Sequence, residues 1–228
     1  MAAQIPKESI TAVVLAGGRG MRMGGVDKGL QLFGGTALAH HALQRLALQV
    51  GSIMINANRN IEAYEAFGTT VVSDDNALGE FAGPLAGMIT GLQNCQTPYL
   101  LTVPCDAPLF PADLAARLAF ALRNDSADIA VACADESTSA DDSITTRKLI
   151  SDEKMYRPQP VFSLMKVSVL KSLLDFTQSG GRKVSEWMAR CQVALVPFNE
   201  SHDAPDAFFN ANTLAQLHRA QLLSKTSL

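Results

Sequence analysis

Residues 10–16 form a short apolar, β-branched run that stops abruptly in glycines, and this junction constrains the chain more than any other feature. A buried strand emptying into a functional loop has this pattern. The continuation reads Leu15-Ala16-Gly17-Gly18-Arg19-Gly20-Met21-Arg22-Met23-Gly24-Gly25-Val26-Asp27-Lys28. Glycines let backbone N–H groups approach an anion with no Cβ in the way, and Arg19, Arg22 and Lys28 add positive charge suited to phosphates. A tight turn also uses glycines, but it has no need of interleaved cations. Neither standard phosphate loop is matched: Met23 stands where a dinucleotide fingerprint has its last glycine, and the Gly-Lys-Ser/Thr ending of a P-loop is absent. The loop asks for a polyphosphate.

Beyond the loop, strand and helix patterns alternate. Residues 36–50 repeat apolar side chains at helical spacing (Leu38, Ala42, Leu46 and Val50, with Leu43 beside them), and 52–57 return to a strand pattern. Further strands are predicted over 69–73, 99–103, 129–133, 161–165 and 193–197, and helices over 84–94, 111–123, 167–176, 184–190 and 213–223. Such alternation implies an α/β fold of three layers, a mostly parallel sheet with helices on both faces and right-handed crossovers. The 228 residues suit a single domain, 1–228. Residues 135–153, rich in Ser, Thr and Asp, interrupt the rhythm and read as a solvated, flexible loop.

Charge and cysteine usage exclude several classes. With 19 basic against 22 acidic residues and no run of Lys or Arg, nucleic acid is not an expected partner. No segment approaches the roughly 20 apolar residues of a membrane span, and residues 1–9 lack the apolar stretch of a leader, so a cytoplasmic location is expected. Cys95, Cys105, Cys133 and Cys191 lie far apart and read as reduced thiols, and neighbouring His40 and His41 point different ways on a helix.

Three further motifs carry chemistry. Asn56 ends the second strand in Asn56-Ala57-Asn58-Arg59, where an amide either caps the strand or offers a donor and an acceptor to a purine edge. Gly83-Pro84-Leu85-Ala86-Gly87 opens a helix, with Pro84 at its first position and the amino-terminal amides open to an anion. Asp106, in Val103-Pro104-Cys105-Asp106-Ala107-Pro108, follows a strand at the carboxyl end of the sheet, where α/β folds place ligands and a carboxylate can hold Mg²⁺ bridging phosphates. Cys105 reads as a packing residue.

Leu15 to Gly18, Arg22-Met23-Gly24-Gly25 and Asp27-Lys28-Gly29 resemble the opening of the molybdenum cofactor guanylyltransferases, within the wider nucleotidyltransferase superfamily. Gly83 to Gly87 matches that family letter for letter, and Asn56 to Arg59, Arg157-Pro158-Gln159-Pro160-Val161, Gly180-Gly181-Arg182-Lys183-Val184 and Phe209-Asn210-Ala211-Asn212-Thr213 are similar to its other signatures. The resemblance spans residue 10 to about 217, departing only in the longer polar loop 135–153.

It implies a Rossmann-like nucleotidyltransferase fold and transfer of GMP from Mg·GTP to the phosphate of molybdopterin. GTP would be held by Leu15, Ala16, Gly17, Lys28, Asn56, Asp74 and Asp106, and molybdopterin by Gly18, Arg22, Gly87, Lys183, Asn210 and Asn212. Asp106, Lys28 and Arg22 would carry the catalysis, with Mg²⁺ on Asp106 as the cofactor. Molybdenum-cofactor biosynthesis proteins and molybdoenzyme chaperones are the implied protein partners. A cytidylyltransferase acting on the same pterin reads alanine-alanine-glycine in place of Ala16-Gly17-Gly18 and lacks the 83–87 sequence. A sugar-1-phosphate nucleotidyltransferase shares only the opening, and a non-catalytic nucleotide-binding regulator has no use for Asp106.

Overall fold

The structure, a computed structural model, describes residues 4–18, 25–75, 83–135, 149–151, 154–204 and 207–210. Strand β1 (Ile10–Leu15) is buried at five of its six positions and lies inside the sheet, with strands on both sides. Its side chains alternate: Ala12 and Val14 enter the core on one face and Val13 enters the core on the other, as the two-residue period of a strand requires. On one side it pairs in parallel with β4 (Ser52–Asn56), which pairs with β5 (Thr70–Val72). On the other it pairs in parallel with β6 (Tyr99–Pro104). The strand order therefore reverses between β1 and β6, a switch point whose carboxyl end opens a crevice for ligands.

Beyond β6 lie β9 (Lys154–Lys166), β7 (Ile129–Asp135) and β10 (Val193–Pro197). Of these only β9 runs antiparallel to its neighbours, and the short β8 (Leu149–Ser151) pairs with it. Helices α1 (Leu38–Leu46) and α4 (Leu114–Asn124) cover one face; α3 (Pro84–Asn94), α5 (Leu170–Gln178) and α6 (Val184–Met188) cover the other. The buried residues of α4, Leu114, Ala115, Leu118, Ala119 and Leu122, recur at helical spacing on a single face. Helix α3 is buried continuously from Leu85 to Leu92, pressed between the sheet and α5. Among the described residues no helix is long and apolar enough to cross a membrane.

The α/β class and mostly parallel sheet are as the alternating pattern predicts. Several boundaries are not. Thr36 and Ala37 belong to β3 (Thr36–Ala37), hairpin partner of β2 (Leu32–Phe33), so the first helix starts later than residue 36 and ends at Leu46. The helix expected from Pro111 starts at Leu114, after a turn in which Leu114 N–H donates to Pro111 O. The strand expected over 161–165 is the antiparallel β9, 13 residues long. The polar segment 135–153 is not loop throughout, because Asp135 completes β7 and Leu149–Ser151 forms β8; residues 136–148 and 152–153 lie outside the described residues. So does the closing helix expected over 213–223. Helix α2 (Ile61–Glu65) escapes the periodicity because its only buried residue is Tyr64.

Candidate active site

The chain leaves β1 stitched between its neighbours: Ala16 N–H donates to Asn56 O at 2.8 Å, and Cys105 N–H donates to Leu15 O at 3.2 Å. These bonds carry the strand pairing past the sheet edge and bring the start of the glycine-rich loop beside the residue that follows β6. That residue is Cys105; Asp106 comes next, and Lys28 Nζ, at the return end of the loop, lies 3.1 Å from its Oδ2. Both side chains are mostly sheltered, 21% and 15% exposed. The cation and the carboxylate singled out from the sequence thus meet at the switch point.

Asn56 is buried beneath this crevice at 2% exposure. Its Nδ2 donates to Asp74 Oδ1 at 2.8 Å, Asn58 Nδ2 donates to Asp74 Oδ2 at 2.7 Å, and Thr90 Oγ1 donates to Asp74 Oδ1 at 2.9 Å. Asp74 N–H in turn donates to Asn58 Oδ1 at 2.8 Å. The Asp74 carboxylate therefore orients both amides, and the exposed one is Asn58. Gly87 belongs to the same cluster: a Cβ there would lie 2.5 Å from Asn56 Oδ1 and 2.7 Å from Leu15 Cδ2, so only glycine lets α3 approach so closely. Leu15, Ala16, Gly17, Asn56, Asp74 and Gly87 form one continuous wall, with Asn58 over Gly17.

The remaining expected residues are more dispersed. Gly18 is exposed, and no atom of the described residues lies within 4 Å of its Cβ position. Strand β9 runs downward to Lys166, opposite Tyr99, and α5 brings the chain back up, so Lys183 returns toward the carboxyl edge of the sheet before α6. Its ammonium pairs with Glu186 at 3.1 Å. Asn210 lies two residues beyond the buried Phe208, and its buried Oδ1 has no hydrogen-bond donor among the described residues. Arg22 and Asn212 lie outside the described residues.

Cys105 is buried at 6% exposure, and burial, then the neighbouring Asp106 and Asp27 charges, push its thiol well above the ordinary range. A protonated, buried thiol is no nucleophile, in keeping with its reading as a packing residue. The site has one centre that the sequence reading passed over, Asp27. Its carboxylate is 7% exposed and accepts from Tyr64, Asn60 and the Gly29 N–H, while Arg59 lies beside it. The signal available was a charged residue inside the glycine loop facing no obvious ligand, but its partners sit in and before the overlooked α2.

Residues 12–194 match the MobA-like NTP transferase domain. The chain is 55% identical over 214 residues to the molybdenum cofactor guanylyltransferase of Acidovorax sp. (strain JS42), covering 94% of this chain and 96% of that one. The chain belongs to the molybdenum cofactor guanylyltransferase family. A second member of the family, from Albidiferax ferrireducens, is 53% identical over 219 residues, covering 95% of this chain and 98% of its own. The fold is likewise shared with the molybdopterin-guanine dinucleotide biosynthesis protein A of Archaeoglobus fulgidus, at a TM-score of 0.71 and 18% identity, over 95% of this chain and 99% of that one. In this guanylyltransferase-family chain, the letter-for-letter 83–87 signature has a local cause: it sets α3 against the buried Asn56.

Proposed function

We propose that the chain transfers GMP from GTP to the terminal phosphate of molybdopterin, releasing pyrophosphate and forming the guanine dinucleotide cofactor. The observation that carries this reading is the Lys28–Asp106 pair at the β1/β6 switch point, beside a glycine-rich loop. Transfer of this type asks a protein for positioning and charge neutralisation rather than for a protein nucleophile. Lys28 would place its ammonium against the triphosphate, and the Leu15 to Gly17 wall with Asn56 and Asp74 would hold the guanosine. The molybdopterin phosphate would approach in line from the side of Gly18, Arg22, Lys183, Asn210 and Asn212. Asn210 supports this division, since its buried Oδ1 has no donor among the described residues, and a buried acceptor without a donor costs stability unless a ligand uses it. Gly87 acts here through Asn56, whichever substrate lies above it.

The donor set fits Mg²⁺. Asp106 offers a hard carboxylate already facing a cation, and the described residues contain no cluster of three or more His, Cys, Asp or Glu side chains. That suits an ion carried largely by substrate phosphates and held by one or two carboxylates. When bound, the ion neutralises charge on the phosphates and the leaving pyrophosphate. A cytoplasmic setting is supported by four cysteines that are all free thiols. The implied protein partners are other enzymes and chaperones of molybdenum-cofactor delivery. The direct test follows pyrophosphate release from GTP with Mg²⁺, with and without molybdopterin. Release that requires molybdopterin supports the reading, and the absence of any release contradicts it.

A further inference from the structure

Arg59 lies just beyond β4, and its guanidinium touches both ends of the glycine-rich loop at once. Nη2 donates to Gly18 O at 3.3 Å on the outgoing side and to Val26 O at 3.1 Å on the return side, where Nη1 also donates to Gly25 O at 2.6 Å. Its Nε lies 3.5 Å from Asp27 Oδ2. Asp27 is in turn held by the Tyr64 hydroxyl at 2.5 Å, the Asn60 amide at 2.9 Å and the Gly29 N–H at 3.2 Å. Gly29 has to be glycine, because any side chain there would collide with the Tyr64 hydroxyl.

The arrangement has an electrostatic consequence. A carbonyl oxygen pointing at a triphosphate repels it, whereas an N–H attracts it. In a planar trans peptide the two point opposite ways. With the carbonyls of Gly25 and Val26 turned toward the guanidinium, the N–H groups of Val26 and Asp27 turn away from it. The charge of Arg59 is meanwhile matched by the buried Asp27, so the guanidinium works on the loop's backbone rather than as a phosphate ligand. Lys28, adjacent to Asp27, inherits a fixed starting point for its reach to Asp106.

We infer that Arg59 is a positioning residue, a staple that joins Gly18 to Gly25 and Val26 and presets the Val26 and Asp27 N–H groups for the polyphosphate of the nucleotide, with Asp27 and Tyr64 anchoring the staple. The inference rests on the reading of this loop as the triphosphate site. A loop ordered in advance binds tighter because less freedom is lost on binding. The benefit should scale with the number of phosphates the loop holds, which a general loss of structure would not produce.

The test measures GMP, GDP and GTP affinity with Mg²⁺ by calorimetry, on the full-length protein and its R59A, R59K and Y64F variants, with melting temperatures alongside. R59A should weaken GTP about tenfold, GDP less, and GMP by no more than about twofold, an ordering cost confined to the loop. R59K should do no better than R59A, because one ammonium cannot span both ends of the loop. Y64F, which removes a single bond to Asp27, should weaken GTP about threefold. Equal losses for GMP and GTP in R59A, or wild-type GTP affinity in R59K, would overturn the staple. Should R59A fail to fold, Y64F decides: unchanged GTP affinity in folded Y64F overturns it too. A wild-type protein that does not bind GTP overturns both this inference and the proposed function, whereas wild-type binding with unaltered R59A binding overturns the staple alone.

Discussion

Lys28 Nζ and Asp106 Oδ2 lie 3.1 Å apart although 78 residues separate them in sequence, joined only because β1 and β6 are neighbours. The pair links the two charges that the proposed transfer needs. Asp106→Asn should lower turnover at saturating GTP and Mg²⁺ by about 100-fold or more, while GTP affinity changes by less than about fivefold. Lys28→Ala should act on binding as well, raising the GTP dissociation constant at least about tenfold through loss of a charge-assisted bond. Steady-state kinetics and calorimetry separate the two, and near-wild-type turnover in Asp106→Asn would remove it from the reaction.

Gly87→Ala should destabilise the protein, since the new Cβ would stand 2.5 Å from Asn56 Oδ1. Overpacking costs about 1–3 kcal/mol, which outweighs the gain of up to about 1 kcal/mol from alanine's helix propensity. At roughly 2–4 °C per kcal/mol for a chain of this size, the melting temperature should fall by several degrees. Gly18→Ala meets no atom of the described residues within 4 Å and should leave it unchanged. Equal melting temperatures for the two variants would show that the close approach of α3 to Asn56 is not what position 87 serves.

Asn210→Ala separates function from stability. Its Oδ1 is a buried acceptor with no donor among the described residues, so deleting it should leave the melting temperature unchanged or slightly higher. Molybdopterin affinity should fall at least about fivefold, the loss of one hydrogen bond of about 1 kcal/mol, with GTP affinity intact. Weakened GTP binding with intact molybdopterin binding would reverse the assignment of the two sides.

Stability should decline on the alkaline side. Burial raises the thiols of Cys105 and Cys133 above their ordinary range, Cys133 to about 12. Their folded values exceed the unfolded value of about 8.5, so the contribution is complete below that pH and is lost as pH rises toward the folded values. Each thiol should cost up to about 1.4 kcal/mol per pH unit above 8.5. Urea unfolding at pH 7.5 and pH 10, under reducing conditions, should show a smaller loss in a Cys105→Ala, Cys133→Ala double variant than in the wild type. Equal losses would contradict this account.

The parts of the fold that were legible in the sequence are those whose signal is local. Strand β1, Pro84–Asn94 and Val193–Pro197 each announce themselves by composition and spacing. What the chain hid depends on partners distant in sequence. Strand β9 is antiparallel because it pairs with β6 and β7, and nothing within Lys154–Lys166 encodes direction. Helix α2 buries one residue, too few for a period, yet that residue, Tyr64, anchors Asp27. The 2% exposure of Asn56 is equally hidden, because it follows from Gly87 letting α3 close over it, a relationship between positions 31 residues apart that only packing reveals.

The central claim is that this site moves a guanylyl group onto molybdopterin. Purified protein incubated with Mg²⁺, molybdopterin and each of GTP, CTP, ATP and UTP in turn, with pyrophosphate release followed and the product mass determined, tests it most directly. Release should be fastest with GTP, by at least about 100-fold over CTP if the site hydrogen-bonds the guanine edge, and the product should be the guanine dinucleotide. Turnover with CTP equal to or faster than with GTP would contradict the account.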